Sequence, residues 1–202
     1  DITGSTFEYL FVGLYLRSEI DDLYVYDNTF GPFELEDCTA AVAGIYIGDG
    51  SDDHFDLLNV VVRGNTFTEY GRGVYVWNYA NNAHIGSFDI YENTFTNSIW
   101  SAAVRFIAGL GDDEGVSFDG PIDVYDNTFS QDSDVGANVG MIDFRTYSEL
   151  QTCEINVTNN DITFTGGPYT DAMFGVIFLP YEGPFTNTTV ADNTLDGGNT
   201  GG

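Results

Sequence analysis

Two carboxylates, Asp89 and Asp123, stand at the same place in two copies of a recurring motif, four residues before Asn93 and Asn127. Neighbouring strands lie about 4.8 Å apart, so stacked copies would bring the pair side by side. Tyr91 and Tyr125 flank them, Glu92 and Asp126 follow at the turn, and Arg63 belongs to the copy before. Paired carboxylates with aromatic neighbours suit glycoside hydrolysis. Acids are so frequent in this chain, however, that two in register need no catalytic role, and no histidine lies close by in the motif. The sequence leans away from an enzyme. Asp89, Asp123 and Arg63 are kept as the catalytic alternative, acting on an acidic polysaccharide.

Two other groups bear on binding. Asp49, Asp52 and Asp53, with Asp112 and Asp113, fall in loops at the same place in two copies. Hard cations take several oxygen ligands, so calcium is the cofactor these loops would hold. Their spacing is not that of an EF-hand, and a solvated acidic loop is the competing reading. His54 and His84 have no second histidine or cysteine at ligand spacing. Tyr15, Tyr46 and Tyr75 form a column expected to face outward, which could stack on sugar rings or on a partner. Cross-strand stacking that merely stabilises the sheet explains it equally well. Arg105 and Asp143 continue the column as an ion pair between copies, and Trp77 and Trp100 fall just outside strands.

The element that positions all of these is the motif itself. Ile122-Asp123-Val124-Tyr125-Asp126-Asn127-Thr128-Phe129 has close copies around Asn28, Asn65 and Asn93, looser ones around Asn160 and Asn193, and a first copy in which Ser5 replaces Asn. The positions 5, 28, 65, 93, 127, 160 and 193 give steps of 23, 37, 28, 34, 33 and 33. A period of this size built from short β-like runs is the mark of a stacked repeat. Alternation places three apolar columns inward, ending two residues after each Asn in Phe7, Phe30, Phe67, Phe95, Phe129, Ile162 and Leu195. The column two before each Asn, which includes Tyr26, Arg63, Tyr91 and Tyr125, is left for solvent. A second strand per copy follows a small residue, as in Gly44-Ile45-Tyr46-Ile47 and Gly73-Val74-Tyr75-Val76. Loops of uneven length, such as residues 48–57 and 108–121, absorb the variation in period.

Asn tolerates left-handed backbone at a tight bend, and its amide both donates and accepts. Asn28, Asn65, Asn93, Asn127, Asn160 and Asn193 are therefore expected to stack as a ladder of side-chain amides. With that ladder at the turn between two strands, the sequence over residues 1–195 resembles the pectate-lyase-like family of right-handed parallel β-helices. The resemblance implies an all-β, right-handed β-solenoid of about seven coils. It leaves function open, because this scaffold hosts lyases, hydrolases, adhesins and structural proteins. In the resembling lyases, carboxylates hold calcium while Arg or Lys abstracts a proton.

Composition narrows the field. The net charge is −27, with no lysine and five arginines. Such a surface repels nucleic acid and anionic membranes, which need clustered cations. Self-repulsion of this size is tolerable where salt screens it within about 3 Å at 1 M, a composition resembling that of haloarchaeal proteins. No stretch reaches the roughly 20 apolar residues of a membrane span. Cys38 and Cys153 lie about four copies apart, on the order of 19 Å at the strand spacing, too far for an internal bridge. Two buried thiols are the expectation, and a bridge between subunits the alternative. Asn156-Val157-Thr158 and Asn187-Thr188-Thr189 are glycosylation sequons.

No helical period precedes the first motif, and residues 196–202 are too glycine-rich to pack as a cap. One domain over residues 1–202 is expected, either excised from a longer solenoid or meeting other copies head to tail, with the Ser5 and Asn193 coils continuing one ladder. The leading functional expectation is a non-enzymatic extracellular or cell-surface solenoid, structural or adhesive, that forms filaments with itself or binds cell-surface glycans. A polysaccharide lyase or hydrolase, or a carbohydrate-binding module, is the alternative.

Overall fold

In the computed structural model the motif's alternation becomes three parallel sheets wound around one core. The structure describes residues 1–16, 20–32, 43–48, 56–78, 84–98, 102–108, 117–118, 120–132, 139–146, 154–165, 173–180 and 185–197. Asp49, Asp52, Asp53, Asp112 and Asp113 lie outside them, as do Cys38, Cys153, His54 and Trp100.

The run before each Asn forms the first sheet, stacked in the order Ile2–Thr3, Ile20–Tyr26, Asp56–Arg63, His84–Tyr91, Ile122–Tyr125, Ile155–Thr158 and Thr188–Ala191. The run after it forms the second sheet, from Thr6–Phe7 through Thr66–Tyr70, Thr94–Ser98 and Thr128–Gln131 to Thr194–Asp196. The strand after the small residue forms the third, with Val12–Leu16, Ala43–Ile47, Arg72–Asn78, Val104–Ala108, Val139–Thr146 and Met173–Pro180. Two sheets run through seven stacked strands and the third through six, so the described chain makes fewer than seven complete coils. The last described turn holds only Thr188–Ala191 and Thr194–Asp196. The expected count of about seven is corrected accordingly, because a motif at Asn193 supplies two strands and not three.

The inward columns are as the alternation requires. Val25, Val62, Ile90, Val124 and Val157 are fully buried in one file. Phe7, Phe30, Phe67, Phe95 and Phe129 stack ring on ring at 4.7–4.8 Å with planes within 7° of parallel. That stack explains the small residue before the third strand. A Cβ on Gly44 would lie 2.7 Å from the Phe67 ring, and one on Gly73 2.5 Å from Phe95. The phenylalanines press directly on the opposing backbone, and glycine makes the room.

The Asn file forms the predicted ladder. The Oδ1 of Asn127 accepts from the backbone N–H of Asn93 and from its Nδ2, both at 3.0 Å. The Nδ2 of Asn127 donates to Ile90 O at 2.8 Å, Tyr125 O at 2.9 Å and Asn160 Oδ1 at 3.0 Å. The same pattern links Asn28 to Asn65, Asn65 to Asn93, and Asn160 to Asn193. It opens where Ser5 N–H donates to Asn28 Oδ1 at 2.9 Å. Asn28, Asn65, Asn93, Asn127 and Asn160 are all buried. Each buried amide and each orphaned turn donor finds its partner in the next turn.

One detail differs from expectation. The left-handed residue is not the ladder Asn but the residue before it: Gly4, Asp27, Gly64, Glu92, Asp126, Asn159 and Asp192 have φ between 53° and 64°. Placing the bend one residue earlier aims the Asn side chain inward. The exposed bend residue is most often Asp, Asn or Gly, the types that tolerate these angles.

Candidate functional site

Residues alternating outward from the first sheet form a flat face that runs along the solenoid. Asp89 and Asp123 are paired in register there, as are Tyr91 and Tyr125. The tyrosine rings stack at 4.8 Å with an interplanar angle of 6°. Arg63 is in register with Tyr91 from the preceding turn, and its guanidinium carbon lies 5.7 Å from the Tyr91 ring centroid. Its ion pair is with Glu92 at 3.1 Å. A hydrogen bond with Tyr91, and then the charge of Glu92, hold the exposed Arg63 above the usual arginine range.

The two aspartates have different surroundings. Asp123 Oδ1 accepts from Asn156 Nδ2 at 2.8 Å, and that amide also donates to Glu154 at 3.0 Å. Asp89 has its pKa raised, first by desolvation and then by the charge of Asp123. Tyr125 is pushed up to about 12, by desolvation first and then by Asp89, Tyr91, Asp123 and Asp126. These groups therefore crowd one hydroxyl. The pair supplies the two neighbouring carboxyl groups that glycoside hydrolysis uses. It meets the geometric requirement less well, since a glycosidase flanks the scissile bond and these two stand side by side on one wall.

Beside the pair, Tyr24, Tyr26, Val61, Arg63 and Tyr91 line a shallow groove of about 300 Å³. Tyr24 lies four residues before Asn28 and Tyr26 two before it, in the outward files that hold Asp89 and Tyr91. The groove was legible in principle from that alternation. From the sequence alone the file with Tyr26, Arg63 and Tyr91 reads only as solvent-facing.

The third sheet carries the other expected column. Tyr15 and Tyr46 are 4.9 Å apart, and Tyr46 and Tyr75 5.2 Å, with rings tilted at 54° and 56°. The file is not uniformly outward, because Tyr15 is 48% exposed and Tyr75 only 3%. Arg72 lies 4.3 Å over the Tyr75 ring, and Trp77 packs at 5.7 Å. Tyr75 is thus a covered core residue and offers no ring to a sugar. Further along the sheet Arg105 meets Asp143 as expected, with Nη2 to Oδ2 at 2.6 Å. Arg145 joins from the same strand as Asp143 at 2.8 Å, and Asp143 is fully buried between the two arginines. Burial pushes Arg72 below the usual arginine range.

Among the described residues no cluster of three or more His, Cys, Asp or Glu is gathered to hold a metal. The calcium expectation rests on loops outside them. No described helix is long and apolar enough to cross a membrane. The chain matches no protein-family model, no curated protein and no solved structure, so the parallel β-solenoid is established by its own sheets and ladder alone.

Proposed function

We propose that the chain is an adhesive β-solenoid of the cell exterior that holds a carbohydrate chain along the outer face of its first sheet. The groove lined by Tyr24, Tyr26, Val61, Arg63 and Tyr91 carries this reading. Aromatic rings with a few convergent polar groups on a rigid scaffold are what sugar rings need, since stacking on tyrosine costs little side-chain entropy. Its setting is a high-salt exterior, consistent with a net charge of −27 and no lysine. The kinship with pectate-lyase-like β-helices is supported by the Asn ladder and the three-sheet turn.

The test is a glycan-array screen at molar salt, followed by titration of any hit against Tyr24→Ala and Tyr91→Ala. Both variants should keep the far-ultraviolet circular dichroism of the parent and lose at least tenfold in affinity. An array without hits, or hits indifferent to both substitutions, would sink the proposal.

A second reading, polysaccharide cleavage at Asp89 and Asp123, is favoured by their pairing in register and by the raised pKa of Asp89, held up first by desolvation and then by the charge of Asp123. It predicts release of new chain ends from a bound polysaccharide, abolished by Asp123→Asn. Binding without release leaves the adhesive reading alone.

A further inference from the structure

We propose that Asn187 is the acceptor of an N-linked oligosaccharide, and that the other glycosylation sequon, at Asn156, stays bare. The inference rests on the reading of the chain as a protein of the cell exterior, a setting in which such sugars occur.

The motif alone does not separate the two. Asn156-Val157-Thr158 and Asn187-Thr188-Thr189 each offer an asparagine, a residue other than proline, and a threonine. Both belong to the first sheet, the former within Ile155–Thr158 and the latter leading into Thr188–Ala191. Their surroundings differ. Asn156 is half-buried in a strand paired on both sides, with Asp123 in register on one and Thr189 on the other. Its Nδ2 donates to Asp123 Oδ1 at 2.8 Å and to Glu154 Oε1 at 3.0 Å, so both amide hydrogens are engaged by carboxylates. Attaching a sugar replaces one of those hydrogens and breaks one charge-assisted bond.

Asn187 lacks these restraints. It is exposed at a bend, and Thr189 beyond it is exposed as well. The Asn187 carbonyl accepts from Ile155 N–H at 2.9 Å, while its side-chain amide has no hydrogen bond among the described residues. Among the described strands Thr188–Ala191 pairs on one side only, with Ile155–Thr158. Such a segment opens locally at lower cost than one paired on both sides, which lets a transferase reach the amide and the threonine hydroxyl together. Asn187 stands six residues before its ladder Asn, in the file of Asp22, Asn59 and Glu154, which are all exposed. A bulky, solvated group added there displaces no core side chain.

The donor class is an oligosaccharide carried on a polyprenyl phosphate lipid. Asn187 Nδ2 attacks the anomeric carbon, and a C–N bond forms as the bond from that carbon to the phosphate oxygen breaks. The lipid phosphate leaves with the electron pair, and one amide proton passes to a base of the transferase.

The experiment takes the chain from the cells that make it, with the cell surface and medium kept apart from the interior, and cuts it after glutamate. Glu154 and Glu182 bound the products, so residues 155–182 hold the Asn156 sequon alone and residues 183–202 the Asn187 sequon alone. Mass spectrometry should find an oligosaccharide on 183–202 at least tenfold more often than on 155–182. Asn187→Gln and Thr189→Ala should each abolish it, and Thr189→Ser, which keeps the hydroxyl, should retain it. All three should match the parent's circular dichroism, since both side chains are exposed. A bare 183–202 peptide in chain recovered from outside the cell would overturn the inference and leave the exterior reading standing. Equal occupancy of the two peptides would do the same, as would sugar that persists in Asn187→Gln and so sits on a threonine hydroxyl. Chain found only inside the cell, with both peptides bare, would end both readings.

Discussion

Replacing Asn127 with alanine tests the ladder most directly. The substitution removes the acceptor of the Asn93 backbone N–H, which sits 3.0 Å from Asn127 Oδ1 in a buried turn. A buried donor left without a partner costs about 1–3 kcal/mol. The carbonyls of Ile90 and Tyr125 also lose the amide that reached them. The Asn160 Oδ1 keeps one donor, since the backbone N–H of residue 127 still reaches it at 3.1 Å. The total loss is about 2–4 kcal/mol, dominated by the orphaned N–H. Asn193→Ala should cost about 1 kcal/mol or less, because its partner Asn160 N–H is only partly buried there and water can substitute. Asn127→Asp is the sharper control. It keeps the Oδ1 acceptor but turns a second oxygen towards Ile90 O, Tyr125 O and Asn160 Oδ1, three acceptors in a row. Its loss should exceed that of alanine at neutral pH and shrink as acid protonates the carboxyl. Urea midpoints at fixed molar salt, followed by circular dichroism, measure all three. If Asn127→Ala costs no more than Asn193→Ala, or if the aspartate variant matches the parent at neutral pH, the ladder does not hold the turns together.

Three more outcomes follow from the same geometry. Asp143→Ala leaves Arg105 and Arg145 facing each other without their shared carboxylate, and should cost about 3–5 kcal/mol by urea denaturation. Added salt should do little to recover it, because a buried pair is poorly screened. Asp89 has a folded pKa above its unfolded one, so the folded state binds more protons and its stability falls as pH rises through that window. Asp89→Asn should therefore raise stability at neutral pH by less than about 1 kcal/mol, a small figure because the site is partly open to solvent, and leave acid stability unchanged. Ser5→Asn should add an Nδ2 donor to Asn28 Oδ1 and stabilise the chain by about 0.5–1.5 kcal/mol in thermal or urea melts.

The scaffold was readable from the sequence because its inward files are chemically uniform. Five valines and isoleucines and five phenylalanines recur at fixed offsets from Asn, and alternation assigns them to one side. The ladder was equally legible, since a side-chain amide both donates and accepts and so pairs with copies of itself. The bend one residue earlier was less so, for Asp27, Glu92 and Asp126 read as ordinary surface acids until their backbone angles are known. The third sheet was misread for a related reason. Alternation places Tyr75 on the outer side of its strand, but it cannot say that Arg72 and Trp77 fold over that side. Alternation puts Arg145 on the same side as Asp143, two residues away on one strand, but it cannot say that Arg145 reaches the carboxylate already paired with Arg105. The pairing of Arg63 with Glu92 was hidden too, since the motif offers it several carboxylates at similar sequence distance.

The amide file also has a direction. Every ladder Oδ1 accepts from N–H groups of the preceding turn, from Ser5 through to Asn193, while each Nδ2 from Asn28 to Asn160 reaches both the next Oδ1 and a backbone carbonyl of the turn before. The side-chain dipoles thus add head to tail, a polar wire threaded through an otherwise apolar core. Its two extremities are chemically unlike. At Asn193 the Nδ2 is bonded to Val157 O at 2.7 Å and Ala191 O at 3.0 Å, both on its own side of the file. At Ser5 the amide is missing: the hydroxyl donates to Thr3 O at 3.3 Å, and its oxygen keeps lone pairs that can accept. Serine at the ladder place takes in hydrogens but hands no amide pair onward, whereas asparagine does both, so a single side chain sets how tightly one turn is tied to the next.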